Sequence, residues 1–214
     1  MSPTDLETAA RNRYNSISDN FFSQAEIFSL IYDAEMELAR ETLVIESTTT
    51  TPTVIGTQGY AYPTEVIDLK RVTYDGKKLK PLTFREDDAI TGLNQTTLSQ
   101  GTPQYYFIWD QYIYLRPIPS AVATLAIYSY NEPGLVTSTS TLEVPTMHHM
   151  ALLDYVVSEM AAKDSNFNAA NYYTAKWERK KQDIKRWVKK NRRGDSFNVV
   201  QDEDSLIEGY LGVV

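Results

Sequence analysis

A chain of 214 residues with 42% hydrophobic and 23% charged side chains, a net charge of -7 and no Cys is long enough to bury a core unaided. The missing Cys excludes disulfide frameworks, thiol nucleophiles and Cys-ligated zinc. The longest apolar run, five residues from Tyr105 to Trp109, falls far short of the roughly 20 that a membrane-spanning helix needs. The opening MSPTDLETAARNRY has no basic stretch followed by an apolar one, so neither a secretory leader nor a membrane partner is expected.

Thr4 to Asn12 reads as a short helix, with Thr4 as N-cap and Glu7 three residues later, the reciprocal capping arrangement. Ser23 and Glu26 repeat that signature before a stronger helix to about Thr42, in which Ile27, Leu30, Ile31, Ala34 and Leu38 form one apolar stripe. Ser47 to Thr53, STTTTPT, breaks the period and reads as a linker or a loose strand.

From about Val54 to Val144 the period is two. Val66, Ile67, Leu69, Val72 and Tyr74 lead into Asp75-Gly76, a hairpin signal because both turn positions favour positive φ; Lys78 to Leu82 is the expected return strand. Arg85 to Ile90 reads as a short helix, and Thr91 to Pro103 as polar and turn-rich. Folding Tyr105 to Leu115 about Asp110-Gln111 sets Trp109 opposite Tyr112 and Phe107 opposite Tyr114 on one face, with Ile108 opposite Ile113 and Tyr106 opposite Leu115 on the other. The aromatic face of Phe107, Trp109, Tyr112 and Tyr114 is either one side of a two-sided core or a surface that meets another subunit. Pro117 and Pro119 end the pair, and Ala123 to Tyr130 adds a strand.

Helix returns after Pro145, with Thr146 as cap and a stripe of His149, Leu153, Val156 or Val157, and Met160 to about Lys163. The last helix, about Ala169 to Asn191, places Tyr173, Trp177, Ile184, Trp187 and Val188 on one face, and Gly194 stops it. Between Lys176 and Arg193 stand ten basic residues (Lys176, Arg179, Lys180, Lys181, Lys185, Arg186, Lys189, Lys190, Arg192, Arg193) and two acidic ones, a balance of +8 that leaves -15 on the other 196 residues. A basic helix on an acidic body reads as a solvated face, as a dock onto that body within or between subunits, or as a DNA-facing surface. The tail from Asp195 has no period, yet it carries Phe197, Val199, Val200, Leu206, Ile207, Tyr210, Leu211, Val213 and Val214, too many apolar groups for a solvated acidic tail. The expected fold class is α+β: an antiparallel α-helical bundle (1–47 and 144–193) with an inserted small antiparallel β-domain (48–143) and an extended, partner-binding C-terminal tail (194–214).

There is no Gly-rich phosphate loop, GxSxG elbow, HExxH or DxDxDG loop. His148 and His149 are adjacent on a helix, about 100° apart, so one belongs in the core and the other at the surface. Asp87-Asp88 reads as a solvated turn. No catalytic, cofactor-binding or metal residues emerge, and the protein is read as not an enzyme and without a cofactor.

The runs YPTEVIDLKRVTYDGKKLKPLTFREDD (Tyr62 to Asp88), GTPQYYFIWDQYIYLRPIPSAVATLAIYSYNEP (Gly101 to Pro133) and LEVPTMHHMALLDYVVSEMAAKD (Leu142 to Asp164) resemble, in this order, the head-to-tail adaptor (connector or head-completion) proteins of tailed bacteriophages. The resemblance covers roughly Asp33 to Arg193. It implies a virion structural protein at the head-tail interface, assembled in the host cytoplasm. It further implies a homo-oligomeric ring, commonly of twelve copies, which sits under the portal, extends the DNA channel without binding DNA specifically and docks a downstream tail or nozzle protein. On that resemblance the C-terminal segment with Phe197, Val199, Val200, Leu206, Ile207, Tyr210 and Leu211 clasps the portal, and charge complementarity between basic helix and acidic body links neighbours. Two other readings remain: a nucleic-acid-binding module using 176–193, and a more distal tail-tube or tail-completion protein.

Overall fold

The computed structural model describes residues 1–16, 21–91 and 99–192. The chain separates into two compact units, one from Met1–Val44 and the chain from Pro133 onward, the other Ile45–Glu132. The fold is α+β: the described residues form four α-helices in the first unit, and mainly antiparallel sheets with one further helix in the second.

In the helical unit α1 (Pro3–Tyr14) begins two residues earlier than the Thr4 and Glu7 pattern predicts. Ser2 is the N-cap, its Oγ accepting from the Asp5 N–H at 3.1 Å while its own N–H donates to Asp5 Oδ2 at 2.8 Å. Pro3 explains the shift, since proline at the first helical position has its φ preset and lacks only an N–H that would go unused. Glu7, freed from capping, accepts from Arg11 Nε at 2.9 Å and Gln24 Nε2 at 2.8 Å. Helix α2 (Gln24–Thr42) starts as expected, with Ser23 Oγ accepting from the Glu26 N–H at 3.2 Å.

Thr146 does not cap a helix. It opens a 3₁₀ turn, Thr146–His148, that runs straight into α4 (His149–Lys163), which has no side-chain cap. Leu152, Leu153, Val156, Val157, Met160 and Ala161 of α4 are all buried, so this helix is covered on nearly every side. Against it lie α1, α2 and α5 (Phe167–Asn191). Asn166 Oδ1 caps α5 by accepting from the Ala169 N–H at 3.3 Å, which starts the helix two residues before the predicted Ala169.

The described residues of the β unit form two four-stranded sheets and a short pair. The first sheet runs β1 (Glu46–Pro52), β10 (Thr124–Asn131), β3 (Val66–Tyr74), β4 (Lys77–Lys78). The second runs β2 (Gly59–Ala61), β8 (Tyr112–Arg116), β7 (Tyr105–Trp109), β5 (Lys80–Pro81), while β6 (Gln100–Gly101) pairs with β9 (Ile118–Pro119). The threonine run is thus a regular strand, paired with β10 along its whole length. Its Pro52 sits at the end of an edge strand, where a missing N–H costs no ladder bond.

Both predicted hairpin turns form, with positive φ at Asp75 and Gly76 (50° and 76°) and at Asp110 and Gln111 (46° and 62°). The return strand Lys78 to Leu82 does not form as one element. After β4 the chain crosses to the other sheet, where Lys80 and Pro81 pair in parallel with Tyr105 and Tyr106. Leu79 drives the crossing: it is 2% exposed in a core with Tyr60, Val72, Tyr74, Tyr106, Ile113, Leu115, Leu125 and Ile127, and Pro81 is confined to an edge.

Candidate interaction surfaces

The β7–β8 pair has the register that the turn dictates: Phe107 opposite Tyr114, Trp109 opposite Tyr112, Ile108 opposite Ile113, Tyr106 opposite Leu115. Its two faces have different fates. Tyr106, Ile113 and Leu115 enter the core between the sheets, whereas among the described residues the aromatic face is covered at its base. There Phe107 stacks on Tyr114 with centroids 4.9 Å apart, and Phe84 of α3 (Phe84–Thr91) meets Phe107 and Trp109 edge-on at 5.2 and 4.9 Å. Beyond Phe84 the surface is open: Trp109 is 59% exposed and Tyr112 46%. A cluster of large aromatic groups at a hairpin tip is a recognition surface in composition, since Trp and Tyr combine broad apolar area with a polar edge.

Helix α3 is fastened by a contact that the sequence reading missed. Asp87 is fully buried and takes Arg116 Nε at 2.8 Å on Oδ1 and Nη2 at 3.0 Å on Oδ2. Arg116 is 5% exposed; its Nη1 also donates to Gln58 Oε1 at 3.0 Å, and its guanidinium lies 4.9 Å from the Phe107 ring centroid. The expectation of a solvated Asp87-Asp88 turn is therefore corrected. Asp88 is exposed, but Asp87 faces inward because the helix places it one turn after Phe84 on the same side. A capping box was the overlooked signal: Thr83 N–H donates to Glu86 Oε2 at 2.7 Å and Glu86 N–H to Thr83 Oγ1 at 3.3 Å. Those bonds to its ionised form hold Glu86 below the usual carboxylate range.

The basic helix spends much of its charge inside its own unit. Lys181 is 4% exposed and donates to Glu37 at 2.5 Å, Glu41 at 2.9 Å and Glu178 at 2.8 Å. Burial alone pushes an ammonium down, yet three carboxylates outweigh it and raise Lys181 above its ordinary value. The assignment of Lys181 to an intersubunit or DNA-facing surface is corrected accordingly, because it is a buried cation of its own subunit. Lys185 bonds Glu41 at 2.5 Å, and these two lysines hold Glu41 below its ordinary value. Fully buried Asp154 is met by Arg13 at 2.7 Å, by Lys180, and by Lys176 at 3.9 Å. Arg186 is largely exposed and pairs with Asp183 at 3.2 Å. Arg179, Lys189 and Lys190 are exposed and make no ion pair among the described residues.

His149 is buried, its Nε2 on the Val144 carbonyl at 2.8 Å and its Nδ1 3.3 Å from the Met1 amine. His148 is half-buried, its ring edge-on to Trp187 at 5.0 Å. The two rings are not brought together on one ion, and among the described residues no group of three or more His, Asp or Glu is placed to hold a metal. No described helix is long and apolar enough to cross a membrane. The tail residues Phe197, Val199, Val200, Leu206, Ile207, Tyr210 and Leu211, and Gly194, lie outside the described residues.

A helical unit interrupted in sequence by a two-sheet β unit, with Trp109 and Tyr112 exposed at a hairpin tip, is an α+β module. The family model for the SU10 adaptor protein matches residues 1–201, and the chain belongs to that family of bacteriophage adaptors. No curated protein matches it. Membership makes it a bacteriophage structural protein with an adaptor role between head and tail.

Proposed function

We propose that the protein closes into a ring under the portal, commonly of twelve copies, that lengthens the DNA channel and docks the next tail protein, without enzymatic activity. The family match over residues 1–201 carries this reading. The chemistry of three surfaces supports it. The apolar, acidic segment after Arg193 suits capture by a partner, with Phe197, Val199, Val200, Leu206, Ile207, Tyr210 and Leu211 as its anchors. The open aromatic tip, Trp109 and Tyr112 over Phe107 and Tyr114, suits a neighbouring subunit or the tail. Lys176, Lys180, Lys181 and Lys185 are tied to Asp154, Glu37 and Glu41, which leaves less free positive charge for gripping DNA, as a channel that DNA slides through requires.

The test is the copy number of this polypeptide relative to the portal protein in purified particles, by quantitative mass spectrometry. A ratio near one to one agrees with a ring matched to the portal. Absence from the particle overturns the proposal. A purified protein that binds free DNA with steep salt dependence brings back the nucleic-acid-binding reading of 176–193.

A further inference from the structure

Between the start of α4 and the last turns of α5 lies a groove of about 340 Å³, lined chiefly by Met147, His148, Met150, Ile184 and Trp187. It differs from an ordinary helix seam. Met147 and Met150 are 64% and 43% exposed, and such side chains adapt readily to an incoming apolar group. In its wall the Nε2 of His148 is shielded from solvent and lacks a hydrogen-bond partner among the described residues, a cost that an arriving polar group would relieve.

Three observations name the occupant. First, the groove adjoins the end of α5, and the chain continues for 22 residues after Arg192. From Asn191 back to Ile184 is about 10 Å along a helix, whereas five extended residues span about 17 Å, so Phe197 reaches the groove with α5 intact. Second, the first apolar residues to arrive are Phe197, Val199 and Val200, the right chemistry for a cleft of Met, Ile and Trp. Third, the continuation holds Asp195, Asp202, Glu203, Asp204 and Glu208 against a single basic residue, Arg193, while exposed Lys189 and Lys190 on α5 make no ion pair among the described residues.

We infer that residues 197–200 of the chain seat in this groove of their own subunit before assembly, covering it with Phe197, Val199 and Val200. The contact shields apolar surface in the free subunit. It stands independently of what captures the tail later; if that partner is the portal, the portal displaces it from the groove.

The native chain has no Cys, so a disulfide pair reports the contact cleanly. In the full chain, Met150→Cys with Val199→Cys is oxidised over a dilution series. Gln182→Cys with Val199→Cys is the control: Gln182 is exposed, at a similar height on α5 and about 160° around the helix from Ile184. The expected result is an intramolecular disulfide in the Met150 pair, formed at least tenfold faster than in the control and independent of concentration. Equal rates overturn the inference. Disulfide-linked dimers that increase with concentration also overturn it, because the tail of a second copy is then the occupant. In the protein without added Cys, Phe197→Ser should move the methyl resonances of Met147 and Met150 but not those of Met36 and Met160; unmoved signals count against the contact. Neither readout depends on portal binding, so failure here leaves the proposed function standing, and loss of portal attachment leaves this inference standing.

Discussion

Asp87→Ala tests whether the buried Arg116 pair holds α3 over the aromatic hairpin. The substitution removes two charged hydrogen bonds of 2.8 and 3.0 Å and strands a guanidinium whose side chain is 6% exposed. Breaking a buried ion pair from one side typically costs 3–5 kcal/mol. Here the Gln58 and Leu115 oxygens at 3.0 and 3.2 Å, and the Phe107 face, still receive Arg116. The loss therefore belongs at the low end, about 3 kcal/mol, or roughly a 150-fold change in the folding equilibrium. In urea, with a slope of about 2 kcal/mol/M, the transition of the β unit should move down by about 1.5 M. Trp109 fluorescence should shift to the red as Phe84 leaves it. Replacing both partners, Asp87→Leu with Arg116→Met, removes the stranded charge and should recover most of the loss. A cost below 1 kcal/mol for Asp87→Ala, or a double variant as weak as the single one, refutes the reasoning.

Glu35 gives a pH signature. It is 1% exposed and accepts from the Val144 N–H at 3.1 Å, and burial, reinforced by the nearby Glu143 carboxylate, pushes its carboxyl up to about 7. The folded state then binds this proton more tightly than the unfolded chain does, so the contribution of Glu35 to stability is greatest below pH 4.5 and declines as pH rises from 4.5 to about 7. The full span is about 3 kcal/mol, and Glu35→Gln should abolish it in urea titrations at pH 5 and 8. His148 and His149, lowered chiefly by burial, act oppositely as pH falls through and below their ordinary 6.5, so the slope is read as wild type minus variant. Lys181→Ala leaves Glu37, Glu41 and Glu178 facing one another, and should cost about 2 kcal/mol in a urea titration, moderated by the partial exposure of all three carboxylates. Trp109→Ser with Tyr112→Ser removes the edge contact with Phe84 and the cross-strand aromatic pair and should cost about 1–2 kcal/mol while leaving the subunit folded, and should abolish ring or tail docking in an assembly assay. Phe197, Leu206, Ile207 and Tyr210 changed together to Ala should abolish portal attachment in a pull-down while circular dichroism stays that of the folded subunit.

The features legible in the chain are those whose signals act over a few residues. Ser23 and Glu26 set the start of α2 because capping bonds span three residues. Asp75-Gly76 and Asp110-Gln111 set two hairpin turns through positive φ, and the second turn sets the register of every pair from Trp109–Tyr112 to Tyr106–Leu115, since side chains alternate strictly along a strand. Even the early start of α1 is local, and follows from weighing Pro3 above the Thr4 and Glu7 pattern. Which polar groups are buried follows from long-range packing. Asp87 finds Arg116 across 29 residues, and Lys181 finds Glu37 and Glu41 across 144 and 140. No local spacing encodes such partners, and a charge without its partner reads as solvated because burying it alone would cost too much. The same holds for Leu79, whose place between the sheets sends β5 across to the other sheet. Local rules describe a continuous return strand, whereas burial of one apolar side chain in a shared core overrides them.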